Sequence, residues 1–229
     1  MTQRLSGILM HPTALPGVHG IGDIGVAAYN FIDNLSEMGQ SLWQILPLGP
    51  TDIYNSPYSS ISTFAGNHLL ISLDLLVEDD LLSANSLEDY KSNDEETINF
   101  NKIIKYKLSI LEEVSKNFGS RSSKKIQNCF NKFCIENSFW LDDYSQYWAL
   151  KKENDHTSWI HWKQKNVSCS HYIYEAKIMQ FLFHSQWGRL QKYCHSKGIQ
   201  IIGDMPIYVG YDSADVFYNK KLFLTFPAT

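Results

Sequence analysis

The sequence predicts an α/β fold built on parallel strands. Three observations predict it. Short apolar runs at 6–11 and 41–48 flank a stretch of helical periodicity at 26–38. A third apolar run, 199–209, follows a long helical pattern at 172–198. Between them, residues 83–170 read as a mostly helical block. Strand, helix and strand at these lengths make a parallel unit, whose crossover is right-handed.

Each element has its own signal. "SGILMH" is the first strand, and "PTALPGVHGIGDIG" is loop, broken by two Pro and four Gly. In "VAAYNFIDNLSEM", Ala28, Ile32 and Leu35 recur at helical spacing with Tyr29 and Met38 beside them, and Gly39 stops the helix. "SLWQILPL" is the second strand. "HLLISLDLLVEDDLL" is densely apolar and then acidic. "INFNKIIKYKLSILEEVSKNF" at 98–118 is a long amphipathic helix, and "KKIQNCFNKFCIENSFW" and "LDDYSQYWALKKEN" are two more. Their lysines read as solvated faces. The helix at 172–198 is stopped by Gly198. "IQIIGDMPIYV" at 199–209 is the third strand, nearly continuous in apolar residues as buried parallel strands are. The chain thus divides into 1–82, with two strands and the loop between 50 and 67; 83–170, the helical insertion; and 171–229, with a helix, the third strand and a tail.

Composition narrows the function. The chain has 229 residues, is 44% hydrophobic and 19% charged, and carries a net charge of −4. That is a globular chain, and its charge balance argues against nucleic acid or an anionic membrane as partner. No segment approaches the roughly 20 apolar residues of a membrane span, and the apolar run at the N-terminus is too short for a signal peptide. The four cysteines, 129, 134, 169 and 194, have neither metal-site spacing nor a disulfide framework, and read as free thiols of a cytoplasmic protein. The histidines at 68, 156, 161, 171, 184 and 195 show no metal-like spacing. No metal and no cofactor are expected.

Gly20, Gly22 and Gly25 spell G-x-G-x-x-G between a strand and a helix, the pattern of a dinucleotide site. Its mechanism needs the first glycine directly after the strand. Here Pro12 and Pro16 intervene, and the second strand ends without an acid until Asp52. A dinucleotide-dependent oxidoreductase is therefore the weakest reading, against a tight turn that enters the helix.

"NSPYSSISTFAGN", at 55–67, is small, polar and aromatic with no charge. Such a stretch cannot build a core and suits an uncharged ligand. Asp204 sits near the C-terminal end of the third strand, where a carboxylate is either structural or functional. His11, at the end of the first strand, is open in the same way. Asp212 and Asp215 suit the N-cap and first turn of a helix.

Five stretches in order, "SGILMHPTALPGVHGIGDIG", "SLWQILPLGPTDIYNSPYSSISTFAGN", "FWLDDYSQYWAL", "SWIHW" and "IQIIGDMPIYVGYDSADVF", closely resemble the 4-alpha-glucanotransferases, or amylomaltases, of glycoside hydrolase family 77. The resemblance runs from residue 6 to about 223. It implies roughly the first three strands of a TIM (β/α)8 barrel, in an enzyme that moves segments of α-1,4-linked glucan between chains with retention. It implies that Ser56 and Tyr58 line donor sugar sites and that Asp204 is the third-strand carboxylate at the scissile sugar. Tyr54 falls near an aromatic of a second glucan site, and His11 lies near the barrel mouth. Asn55 stands where Gly or Asp is common, and His68 where Pro is frequent. A retaining transfer uses two carboxylates about 5–5.5 Å apart. In the family these sit at the fourth and fifth strands, so the resemblance places nucleophile and acid/base beyond Thr229. The chain alone is then expected to be inactive, to depend on a complementing C-terminal fragment or to aggregate through uncovered strand edges, or else to be a non-catalytic glucan-binding remnant.

Overall fold

The computed structural model describes residues 4–87, 97–163 and 165–225. Among the described residues five strands are formed, β1 (Gly7–Leu9), β2 (Leu42–Gln44), β3 (Ser59–Ser60), β4 (Gln200–Ile202) and β5 (Tyr208–Val209), and seven α-helices, α1 (Val26–Glu37), α2 (Leu73–Glu78), α3 (Phe100–Arg121), α4 (Lys124–Glu136), α5 (Ser138–Glu153), α6 (Ser170–Ser196) and α7 (Ala214–Tyr218). The fold is mixed α/β, with one small parallel sheet in the order β1-β2-β4 and a two-stranded parallel pair, β3-β5.

Register decides which side chains enter the core. Ile8, Trp43 and Ile201 lie abreast, as do Leu9, Gln44 and Ile202. The first row packs inward and Trp43 is fully buried, its indole N–H donating to the Met10 carbonyl at 2.8 Å. The second row faces solvent, because side chains alternate along a strand. Helix α1 buries Ala28, Ile32 and Leu35, the residues its spacing selects, while Met38 lies outside at the helix end. Gly39 and Gly198 follow α1 and α6 at φ +68° and +74°, the left-handed positions that glycine adopts without strain. The main core takes Trp43, Ile32, Leu111, Tyr147, Leu182 and Val216, and so draws on residues before, within and after the helical stretch 97–163.

Three expectations are corrected. The apolar run at 199–209 is not one buried strand. It ends at Ile202, with Gln200 and Ile202 exposed, and its far end forms β5 against β3. Pro206 interrupts the run and has no N–H to continue a ladder. Asp212 is not the helix cap. The Ser213 hydroxyl caps α7 by accepting from the Val216 N–H at 3.2 Å, with Asp215 in the first turn. Asp212 instead accepts from the Tyr147 hydroxyl (2.8 Å), the Trp159 N–H (3.0 Å) and the Lys151 ammonium (2.5 Å).

The lysines are not all solvated. Lys107 is fully buried and donates to the carbonyls of Leu69 (2.6 Å) and Ile71 (2.9 Å), with the Asp23 carboxylate at 3.3 Å. Lys152 lies between Glu112 (2.7 Å) and Glu175 (2.9 Å). Buried backbone oxygens need donors, and α3 supplies one by turning Lys107 inward. Burial pushes its ammonium below its usual range, and Asp23 opposes that.

Two glutamines of α6 hold the segment that leads away from β3. The Gln180 amide accepts from the Gly66 N–H (2.7 Å) and donates to the Gly66 carbonyl (2.9 Å). The Gln186 amide does the same with Ser72, at 2.8 and 3.0 Å. Both glutamines are 1% exposed. At Gly66 a Cβ would collide with the Phe183 ring, so close approach there requires glycine.

Gln186→Leu leaves the Ser72 N–H and carbonyl buried without partners and is expected to cost about 2–4 kcal/mol. Urea unfolding followed by tryptophan fluorescence measures it, and a loss below about 1 kcal/mol would show the pairing to be dispensable. His68 gives a second test. Burial, reinforced by the positive charges of Lys107 and His156, holds it down to about 4 from 6.5. The unfolded chain takes up a proton in that window that the folded chain refuses. This stability is present above about pH 6.5 and lost as pH falls toward 4, at up to about 1.4 kcal/mol per pH unit. Urea unfolding at about pH 7 and about pH 4.5 should show a smaller loss for His68→Phe than for the native chain; equal losses would exclude His68 as the source.

Candidate functional site

Two segments from distant parts of the sequence meet at the C-terminal ends of the strands. The first is the loop from 51 to 58, which leaves β2 and enters β3. The second is the turn at 203–207, which joins β4 to β5. Strand pairing brings them together: Ser59 and Ser60 lie abreast of Tyr208 and Val209. The pairing continues with Gly210 N–H on the Ser60 carbonyl (2.9 Å), Ala214 N–H on the Ile61 carbonyl (3.0 Å) and Thr63 N–H on the Asp215 carboxylate (3.0 Å).

At this junction the Tyr58 hydroxyl donates to Asp204 Oδ2 at 2.6 Å, and the Met205 N–H donates to Asp204 Oδ1 at 2.8 Å. Both carboxylate oxygens therefore have a partner while the carboxylate remains exposed. The hydrogen bond to Asp204 raises the Tyr58 phenol above its usual range, because ionisation would bring a phenolate against a carboxylate. Beside Asp204 opens a cleft of about 260 Å³, lined among others by Ser60, Ser62, Phe64, His184, Trp187 and Met205. Asp204 is the one carboxylate among the described residues that line it.

The other sequence-selected residues are placed differently. The Ser56 hydroxyl accepts from the Tyr58 N–H at 3.4 Å, so Ser56 supports the same turn. Tyr54 is 80% exposed and stands outside the cleft. The His11 ring nitrogen Nδ1 pairs with the Thr13 hydroxyl at 2.6 Å. His11 lines a second, smaller cavity of about 140 Å³ behind the loop, with Thr51, Asn55, Pro57 and Asn67. Burial holds its imidazole below the usual range, opposed by the Pro47 carbonyl, an acceptor that favours the protonated ring. Sequence reading missed the ring wall of the cleft. Its signal is "FHSQW" in α6, where His184 and Trp187 lie three apart and share a helix face.

The glycine pattern at 20–25 is not an anion cradle. The Gly25 N–H at the start of α1 donates to the Asp23 carboxylate at 2.9 Å, and a Cβ on Gly25 would collide with the Ser72 side chain. A pyrophosphate there would meet a carboxylate rather than free donors. Among the described residues no group of three His, Cys, Asp or Glu is placed to hold a metal ion, and no helix is long and apolar enough to cross a membrane. The four cysteines are free thiols.

The family model described as 4-alpha-glucanotransferase, of glycoside hydrolase family 77, matches residues 10–228. The chain is 39% identical to a 4-alpha-glucanotransferase of Aquifex aeolicus, over 96% of this chain and 46% of that protein. It is 41% identical to one of Clostridium butyricum, over 94% of this chain and 46% of that protein. Among solved structures, the amylomaltase of Streptococcus agalactiae in complex with acarbose superposes with a TM-score of 0.92 at 34% identity, covering 99% of this chain and 48% of that one. The chain spans about half the length of these relatives.

The contact between Tyr58 and Asp204 is open to direct titration. The difference in phenolate absorbance between the native chain and Asp204→Asn should show one tyrosine that ionises later in the native chain. Superimposable titrations would show that the phenol and the carboxylate do not interact in solution.

Proposed function

This chain belongs to the 4-alpha-glucanotransferase family, and we propose that its residues form the donor-side wall of a transferase that moves α-1,4-glucan segments between glucans. The observation that carries the proposal is the Tyr58 hydroxyl on Asp204 at the edge of an aromatic-walled cleft. A sugar offers hydroxyls that donate and accept, and a pyranose face that stacks on rings. An exposed carboxylate accepts from sugar hydroxyls, Tyr58 orients that carboxylate, and the uncharged stretch at 55–67 leaves a neutral ligand free of Coulombic competition. The acarbose bound by the neighbouring amylomaltase is in keeping with such a site.

In this reading Ser56, Tyr58 and Asp204 contact the glucan or the groups that do. Tyr54 serves an outlying second glucan site, and His11 supports the mouth. The β1-β2-β4 sheet is the opening of a (β/α)8 barrel, residues 1–82 and 171–229 are barrel segments, and 83–170 is an insertion. The protein works in the cytoplasm on maltooligosaccharides.

Retaining transfer requires a nucleophile and an acid/base about 5–5.5 Å apart. The family's Arg-x-Asp-His-type motif does not occur in the 229 residues, since Arg4, Arg121 and Arg189 are followed by Leu-Ser, Ser-Ser and Leu-Gln. The role assigned to this chain is therefore binding and orientation, with the reacting carboxylates supplied by a complementing part.

Calorimetry with maltoheptaose tests the binding. The native chain should release heat, Tyr58→Phe and Asp204→Asn should each weaken affinity about tenfold, the worth of one charge-assisted hydrogen bond, and NADH should give no signal. No glucose should appear from maltotriose with the 229 residues alone. Mixing with the C-terminal half of a relative should restore release. Binding with no release in that mixture would favour a glucan-binding remnant, and absence of binding would overturn the proposal.

A further inference from the structure

We propose that Asp52 is a positioning residue, which fixes the loop that holds Tyr58 on Asp204. Its use in glucan recognition rests on the function proposed above. All four polar groups of Asp52 are bonded within the loop. Its N–H donates to the Ser59 carbonyl (3.1 Å) and its own carbonyl accepts from the Asn55 N–H (3.1 Å). Oδ1 accepts from the Tyr54 N–H (2.9 Å), and Oδ2 accepts from the Ser59 hydroxyl (2.7 Å). One residue thus binds both ends of the excursion from 53 to 58.

Nothing apolar does that work. Ile53 is 84% and Tyr54 80% exposed, so the tip of the loop buries little surface that could order it. Asn55 adopts φ +57°, a left-handed position that needs local hydrogen bonds to hold it. Ordering the backbone of a loop residue costs about 1–2 kcal/mol, and here polar closure has to offset it. A short aspartate that bonds the backbone two residues on is the side chain suited to this.

The second end carries the effect to the other partner. Ser59, held by Asp52, lies abreast of Tyr208 in β5. Tyr58 precedes Ser59 by one residue, and Asp204 precedes Tyr208 by four. Fixing Ser59 therefore fixes both the phenol and the turn that presents the carboxylate. Asp52 is not part of the cleft lining and its hydrogen bonds go to Tyr54, Asn55 and Ser59 rather than Asp204, so its influence passes through Ser59 and the loop backbone.

The test places 3-fluorotyrosine at position 58 and reads its fluorine resonance. Asp204→Asn supplies the position of a released phenol. Asp52→Ala should move the resonance toward that position and weaken maltoheptaose binding about tenfold. Asp52→Asn, which keeps an oxygen for the Tyr54 N–H, should restore most of both. Ser59→Ala removes one contact only and decides the matter if Asp52→Ala fails to fold by circular dichroism. A folded Asp52→Ala or Ser59→Ala chain whose resonance stays at the native position would overturn the proposal. A native resonance that ignores maltoheptaose but moves in Asp52→Ala would support the positioning role and count against the glucan reading.

Discussion

The site depends on two buried glutamines. Gln180 and Gln186 each present an amide to a backbone unit, Gly66 and Ser72, and satisfy its N–H and carbonyl together. An amide paired in this way stands in for a neighbouring strand. It lets an irregular segment run through the core without orphaned polar groups. The segment it holds follows the loop that carries Tyr58, so the loop hangs between β2 and a fixed anchor. That anchor works together with the β3-β5 pairing to keep the stretch at 55–67 beside the cleft, with Ser60, Ile61, Ser62, Ala65 and Asn67 buried.

Buried charge extends the same logic. Lys107 reaches from α3 to the carbonyls of Leu69 and Ile71, three residues beyond one glutamine pairing and one short of the other. Asp212 ties α5 and the turn at Trp159 to the segment after β5. These contacts join residues 97–163 to the chain that follows each of the two segments meeting at Asp204. Helices α3 and α5 therefore act on the site without lining it, by holding backbone carbonyls on one side and the Asp212 carboxylate on the other. An unpaired charge at such a position is strongly disfavoured, so each contact specifies one arrangement of loop and helix.

Local signals in the sequence carried part of this. Ala28, Ile32 and Leu35 are buried at the spacing that selects them, and Gly39 and Gly198 end their helices in the left-handed conformation. Tyr58 and Asp204 are singled out by motif, and the structure places them 2.6 Å apart. What escaped the sequence is long-range. The pairing of Ser59 and Ser60 with Tyr208 and Val209 involves two residues on each side, too few for any periodicity. The apolar run at 199–209 hides its break, since hydrophobicity alone does not register a proline that leaves the ladder. Lys107 reads as a surface lysine, because its partners are carbonyls 36 and 38 residues away. Gln180 and Gln186 read as ordinary helix residues for the same reason.

On the proposed reading, the absence of charge at 55–67 has a physical explanation. A neutral polyol gains little from Coulombic attraction, and water competes for every hydrogen bond it makes. Affinity then comes from groups already held in position, which lose little freedom on binding. Tyr58 uses its proton on Asp204, leaving the phenol oxygen and the remaining carboxylate lone pairs as acceptors of fixed direction. A lysine or arginine in the loop would compete for Asp204 and replace that orientation with a flexible ion pair. Asp52 is the one acid at the entry to the loop, and its carboxylate is turned back onto Tyr54 and Ser59 rather than toward the cleft. The charge the loop does contain is thus used to set its shape, and the face left to a ligand is made of hydroxyls, rings and one oriented carboxylate.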